Sequence, residues 1–119
     1  MTVVVLQADH AAGRIATCAC CGVRFRERSV RLCLSDPSGI SGVICPECIL
    51  QGPRGAARRM RVLLARRLAC SPVLAGSPEQ RDLETWQRWM SRKVEALESA
   101  GSFPMSARLA AVREMRETR

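Results

Sequence analysis

Two Cys-x-x-Cys pairs, Cys18/Cys21 and Cys45/Cys48, stand with 23 residues between them in a chain of 119. A spacer of two residues lets both sulfurs of a pair reach one ion. Two such pairs close the thiolate tetrahedron that structural Zn²⁺ prefers. One structural Zn²⁺ per chain is therefore expected, held by Cys18, Cys21, Cys45 and Cys48. Four protein ligands leave no position for water or substrate, so such an ion holds a fold together instead of carrying a reaction. The other three cysteines are placed less well. Cys20 adjoins Cys21, points in a different direction and reads as a spectator thiol. Cys33 falls on the outer face of an expected strand as a small surface residue, and Cys70 reads as a small apolar residue near the core.

Catalytic alternatives lack their parts. His10 is the only histidine and reads as an exposed loop residue. A His-metal nuclease, a Cys-His nucleophile pair and an H-x-E zinc deaminase all require more. No P-loop and no G-x-G-x-x-G phosphate cradle is present. A thiol redox role for Cys45-Pro46-Glu47-Cys48 would need only a thiolate stabilised by a helix N-terminus. The matching pair at Cys18/Cys21 favours metal over redox chemistry. The expectation is a protein that is not an enzyme.

Charge supplies the second signal. The formal net charge is +8, and the excess is concentrated. Residues 1–53 balance to +1, residues 76–119 to +1, and the stretch between them to +6 with no acidic residue. That stretch carries Arg54, Arg58, Arg59, Arg61, Arg66 and Arg67, a local positive potential suited to phosphate backbones or an acidic protein surface. A solvated helix face is the plainer reading of the same residues. No secretory leader and no apolar run of transmembrane length is evident, which leads to the expectation of a cytoplasmic protein with no membrane partner. In a reducing compartment the cysteine pairs read as metal ligands more readily than as disulfides.

The elements that must position these groups follow from periodicity and breakers. Residues 2–6 are a β-branched run and predict a strand, and residues 7–17 a loop. Cys18 to Gly22 predicts a metal-binding knuckle, with Gly22 relieving strain after the second ligand. Val30, Leu32 and Leu34 alternate with polar or small residues, Asp36-Pro37-Ser38-Gly39 supplies a turn, and Ile40 to Ile44 returns. Together they predict a hairpin between the ligand pairs. Pro46 suits the first position of a helical turn that Gly52-Pro53 soon interrupts.

Three helices are predicted beyond it. Residues 53–70 place Ala57, Met60, Leu64 and Leu68 on one stripe, with Ala56 and Leu63 beside it and the arginines elsewhere. Residues 78–100 begin after a Ser77 cap with Gln80 set to complete a capping box, and their stripe is Leu83, Trp86, Met90, Val94 and Leu97. Residues 105–117 offer Leu109, Val112 and Met115 as an apolar stripe, with Ala110 and Ala111 allowing close approach. The fold class is α+β, in two parts. Residues 1–52 form a zinc-binding hairpin module, and residues 53–119 a helical region.

Knuckle, hairpin and a second Cys-x-x-Cys at the start of a helical turn resemble the zinc-ribbon and treble-clef group of small zinc modules. The resemblance covers Cys18 to about Leu50 and rests on the two pairs, Gly22 and Pro46. It implies one structural zinc and leaves function open, because fold analogy does not choose among DNA, RNA and protein partners. Two readings follow. In the first, the arginine-rich helix contacts DNA or RNA phosphates, as in a regulator of transcription. In the second, the helical half is a protein-interaction or homo-oligomerisation unit, with Trp89 as its partner-binding anchor because it lies off the apolar stripe that holds Trp86.

Overall fold

The computed structural model describes residues 2–7, 13–27, 30–37, 39–70 and 76–117. His10, Arg28, Ser38 and most of the linker around Pro72 lie outside the described residues. The elements are β1 (Thr2–Gln7), β2 (Ile15–Thr17), β3 (Arg24–Arg26), β4 (Val30–Asp36), β5 (Gly39–Ile44), α1 (Pro46–Ala69), α2 (Pro78–Ser99) and α3 (Met105–Glu117). This is the expected α+β arrangement, with strands in the N-terminal half and three helices after them. Among the described residues no helix is long and apolar enough to cross a membrane.

The β4–β5 hairpin forms where alternation placed it, with Leu32 opposite Ile44 and Leu34 opposite Gly42. β1 adds to its free side antiparallel, Val5 opposite Leu32, which makes β4 the middle strand of three. The stretch read as a featureless loop instead contains β2, paired with β3 in a two-stranded sheet on either side of the knuckle. Three residues per strand carry too little periodicity to reveal such a ribbon.

Leu32 and Leu34 face a core shared with Ile44, Ala56, Ala57, Met60, Met90, Val94, Leu97, Phe103, Ala107 and Ala111. Each large aliphatic or aromatic side chain taken fully out of water contributes about 1.5–3 kcal/mol. The opposite face of β4 differs from expectation. Cys33 is completely buried and is not a surface residue. It sits on the middle strand between Val4 and Val43, with the Arg31–Glu27 ion pair (3.3 Å) on the same side of the sheet. Burial pushes its thiol pKa up.

Gly52 breaks α1 with φ +80°, ψ 171°, so the helix kinks there and resumes at Pro53. The interruption expected at this point is therefore present as a kink, between a short first segment that carries Cys48 and the arginine-bearing segment beyond it. Its apolar face buries Ala56, Ala57 and Met60. Cys70, expected near the core, is exposed at the C-cap. α2 begins as predicted, since the Gln80 N–H donates to Ser77 Oγ at 3.2 Å. The Gln80 amide oxygen reaches back to the Gly76 N–H, one residue before the capping box would place it.

α3 is rotated relative to its expected stripe. Ala107 and Ala111 are buried, whereas Leu109 (59% exposed), Val112 (37%) and Met105 (57%) face solvent. α3 lies against both α1 and β4. Small side chains at the contact let the helix axis approach closely, and the larger apolar residues then point away.

Candidate metal centre

The knuckle that holds the first pair is closed by its own backbone. The Cys18 N–H donates to Val23 O (2.8 Å) and the Gly22 N–H to Cys18 O (3.0 Å). Gly22 adopts φ +77°, a backbone conformation that favours glycine, and a Cβ there would lie 3.3 Å from Leu63 Cδ1, a close contact that the leucine side chain would have to ease. The Ala19 N–H donates to Val43 O at 2.8 Å, and this bond ties the knuckle to β5 just before Cys45. Cys45 is the N-cap of α1, with Pro46 next, and Cys48 lies in the first turn. Sheet, knuckle and helix start thus meet at one point.

There the four sulfurs of Cys18, Cys21, Cys45 and Cys48 lie within 4.8 Å of one another. Cys18 Sγ and Cys48 Sγ are 3.8 Å apart, and Cys21 Sγ and Cys45 Sγ 3.7 Å. A tetrahedron with Zn–S bonds of about 2.3 Å has edges of about 3.8 Å, so the donor set fits a Zn²⁺-sized ion. Cys18, Cys45 and Cys48 are buried and Cys21 partly so.

Surrounding donors prepare the sulfurs for negative charge. Cys18 Sγ accepts from the N–H groups of Cys20 and Cys45, each at 3.3 Å, and Cys45 Sγ from the Cys48 N–H at 3.5 Å. The Arg59 guanidinium donates to Cys48 Sγ (3.5 Å) and to Glu47 Oε1 (2.9 Å). Cys18 is held far below the usual thiol range, chiefly by contacts with Cys20, Cys45 and Cys48. Cys45 and Cys48 are pushed far above it, first by Cys18. A divalent cation bound among the four sulfurs would stabilise their thiolate forms together. Cys20 is fully buried beside Cys18 and outside the four-sulfur set, which agrees with a spectator role.

The six arginines of α1 are divided. Arg59 belongs to the metal centre, Arg61 pairs with Glu98 of α2, and the Arg67 guanidinium lies 5.5 Å from the Trp86 ring centroid. Arg54, Arg58 and Arg66 are exposed and form no ion pair among the described residues. Trp86, expected in the core, is half-buried against it, and Trp89 is 38% exposed. Sequence reasoning missed Lys93, which is buried with its ammonium 3.4 Å from the Trp89 ring centroid. Its pKa is lowered by burial. As the only lysine in an arginine-rich chain, four residues after Trp89, it carried a signal of its own.

Gly42 gives the junction a direct test. A Cβ there would stand 2.8 Å from Ala19 Cβ, inside contact distance between β5 and the knuckle. Gly42→Ala is expected to cost about 1–3 kcal/mol by overpacking and to speed loss of metal to a chelator, as followed with a chromogenic dye. Unchanged release would show that the knuckle is held independently of β5.

No family model, curated protein or solved structure matches this chain. The arrangement of cysteines defines a candidate zinc-binding protein from its own geometry.

Proposed function

We propose that the chain is a non-enzymatic zinc-binding protein that binds nucleic acid through α1, as a regulator of transcription would. The carrying observation is that one helix begins at two of the cysteine ligands and, beyond its kink, presents Arg54 and Arg58 to solvent with no acidic partner among the described residues. They are four residues apart and share a face. The metal would fix the start of the helix, and the arginines would meet successive phosphates. Such affinity is largely electrostatic and falls steeply with salt. A ligand-bearing turn that leads into a helix supports the treble-clef variant of the zinc modules.

Replacement of both Arg54 and Arg58 by Ala is expected to weaken duplex binding about equally for all sequences. It should also make the salt dependence shallower by about one unit per lost contact. Filter retention of duplex at several salt concentrations measures it, and an unchanged slope removes α1 as the interface.

A second reading draws support from α3, whose outward Met105, Leu109 and Val112 form an apolar stripe suited to a protein partner or a second copy. If this stripe joins two copies, Leu109→Ser is expected to halve the mass seen in sedimentation. A wild-type chain that sediments as a monomer at all concentrations would set the homo-oligomer aside.

A further inference from the structure

Trp86 and Trp89 lie one turn apart on α2 and, with Asp82, Thr85, Arg88 and Arg92, line a shallow, open cleft whose walls all come from this one helix. Each indole has a cation against one of its faces, Arg67 on Trp86 and Lys93 on Trp89. Trp86 is anchored against the core, whereas Trp89 is the more exposed of the two. These indoles are the only tryptophans of a chain with just four aromatic residues.

We propose that this cleft is a stacking site for unpaired bases of single-stranded nucleic acid, with the indoles as the platform and Arg88 and Arg92 as phosphate contacts. Every base has a π-face, so stacking on an aromatic ring is tolerant of sequence, and an adjacent positive rim follows the backbone. Bases in a duplex are stacked on one another and cannot use such a platform. Asp82 and Thr85 add polar groups able to bond a base edge. The Arg67–Trp86 contact places the cleft beside the C-terminal end of α1. The inference rests on the nucleic-acid reading and narrows it to strands with exposed bases.

The test uses the zinc-loaded full chain, an oligothymidylate of about 15 nucleotides, near the upper site size of single-strand modules, and a duplex of equal length. Intrinsic tryptophan fluorescence reports on this cleft alone. Saturable quenching by the single strand and little by the duplex is expected. Trp89→Ala should weaken single-strand binding about tenfold or more while duplex retention persists. Because Trp89 lies against the buried Lys93, a variant with Arg88 and Arg92 both replaced by Ala provides a check confined to exposed side chains. It should bind the single strand more weakly, with a salt slope shallower by about one and a half units. Equal quenching by both nucleic acids, or undiminished single-strand affinity in both variants, overturns the stacking site and leaves the α1 reading standing. Failure of either nucleic acid to bind at low salt overturns both.

Discussion

Cys45→Ser is expected to abolish stoichiometric zinc binding and to unfold the β4–β5 hairpin together with the start of α1. Structural zinc contributes on the order of 10 kcal/mol of apparent folding free energy to small modules, more than the whole stability of many domains. Cys45 has three roles at once: it is a member of the four-sulfur set, the N-cap of α1, and the donor of an N–H to Cys18 Sγ. Serine can cap a helix, so the loss isolates the sulfur's part in metal binding. Elemental analysis and circular dichroism measure the outcome, and chelation of the wild-type protein should reproduce it. Cys33→Ser is the matched control, since Cys33 lies outside the four-sulfur set. It should keep its zinc yet lose about 1–3 kcal/mol, because a hydroxyl replaces a buried thiol with no assured partner. Native protein prepared without chelators that contains no metal would refute the zinc assignment.

Phe103→Ala should lower stability by about 3–5 kcal/mol, as expected for a large aromatic removed from a core. Phe103 is 2% exposed, sits in the turn between α2 and α3, and belongs to the same buried cluster as Leu97, Ala107 and Ala111. The turn is set by Gly101 at φ +73° and by the Ser102 N–H donating to Ala100 O at 2.8 Å, so the ring enters the core from a fixed backbone. The two helices it wedges are built from modest contacts. Alanine makes the α3 contact, and the Arg61–Glu98 pair across α1 and α2 is exposed, where such pairs contribute little. Urea denaturation of the zinc-loaded chain gives the value. Leu109→Ala, on the solvent side of α3, should cost far less in the monomer. Equal losses at the two positions would mean that α3 presents its other face.

The metal centre was legible in the sequence because its determinants are local. Two-residue spacers, Gly22 after the knuckle, and Pro46 beside a capping cysteine each act within a few residues. The structure adds that the two pairs meet, with sulfur separations of 3.7 and 3.8 Å. Ser77 and Gln80 likewise announced α2, and alternation announced the hairpin, since caps and period are properties of a single element.

What the sequence could not determine depends on which element lies opposite. The same alternation that puts Leu32 inward leaves Cys33 on the other face, and that this face is buried as well is seen only in the folded chain. On α3 both an alanine face and a Leu109–Val112 face satisfy a helical period. The close approach of α1 and β4 selected alanine. Six arginines looked equivalent along the chain, yet Cys48 and Glu47 claim Arg59, Glu98 claims Arg61, and Trp86 claims Arg67. Periodicity fixes which residues share a face; the free energy of burying or pairing that face belongs to neighbours distant in sequence, and only the tertiary structure supplies them.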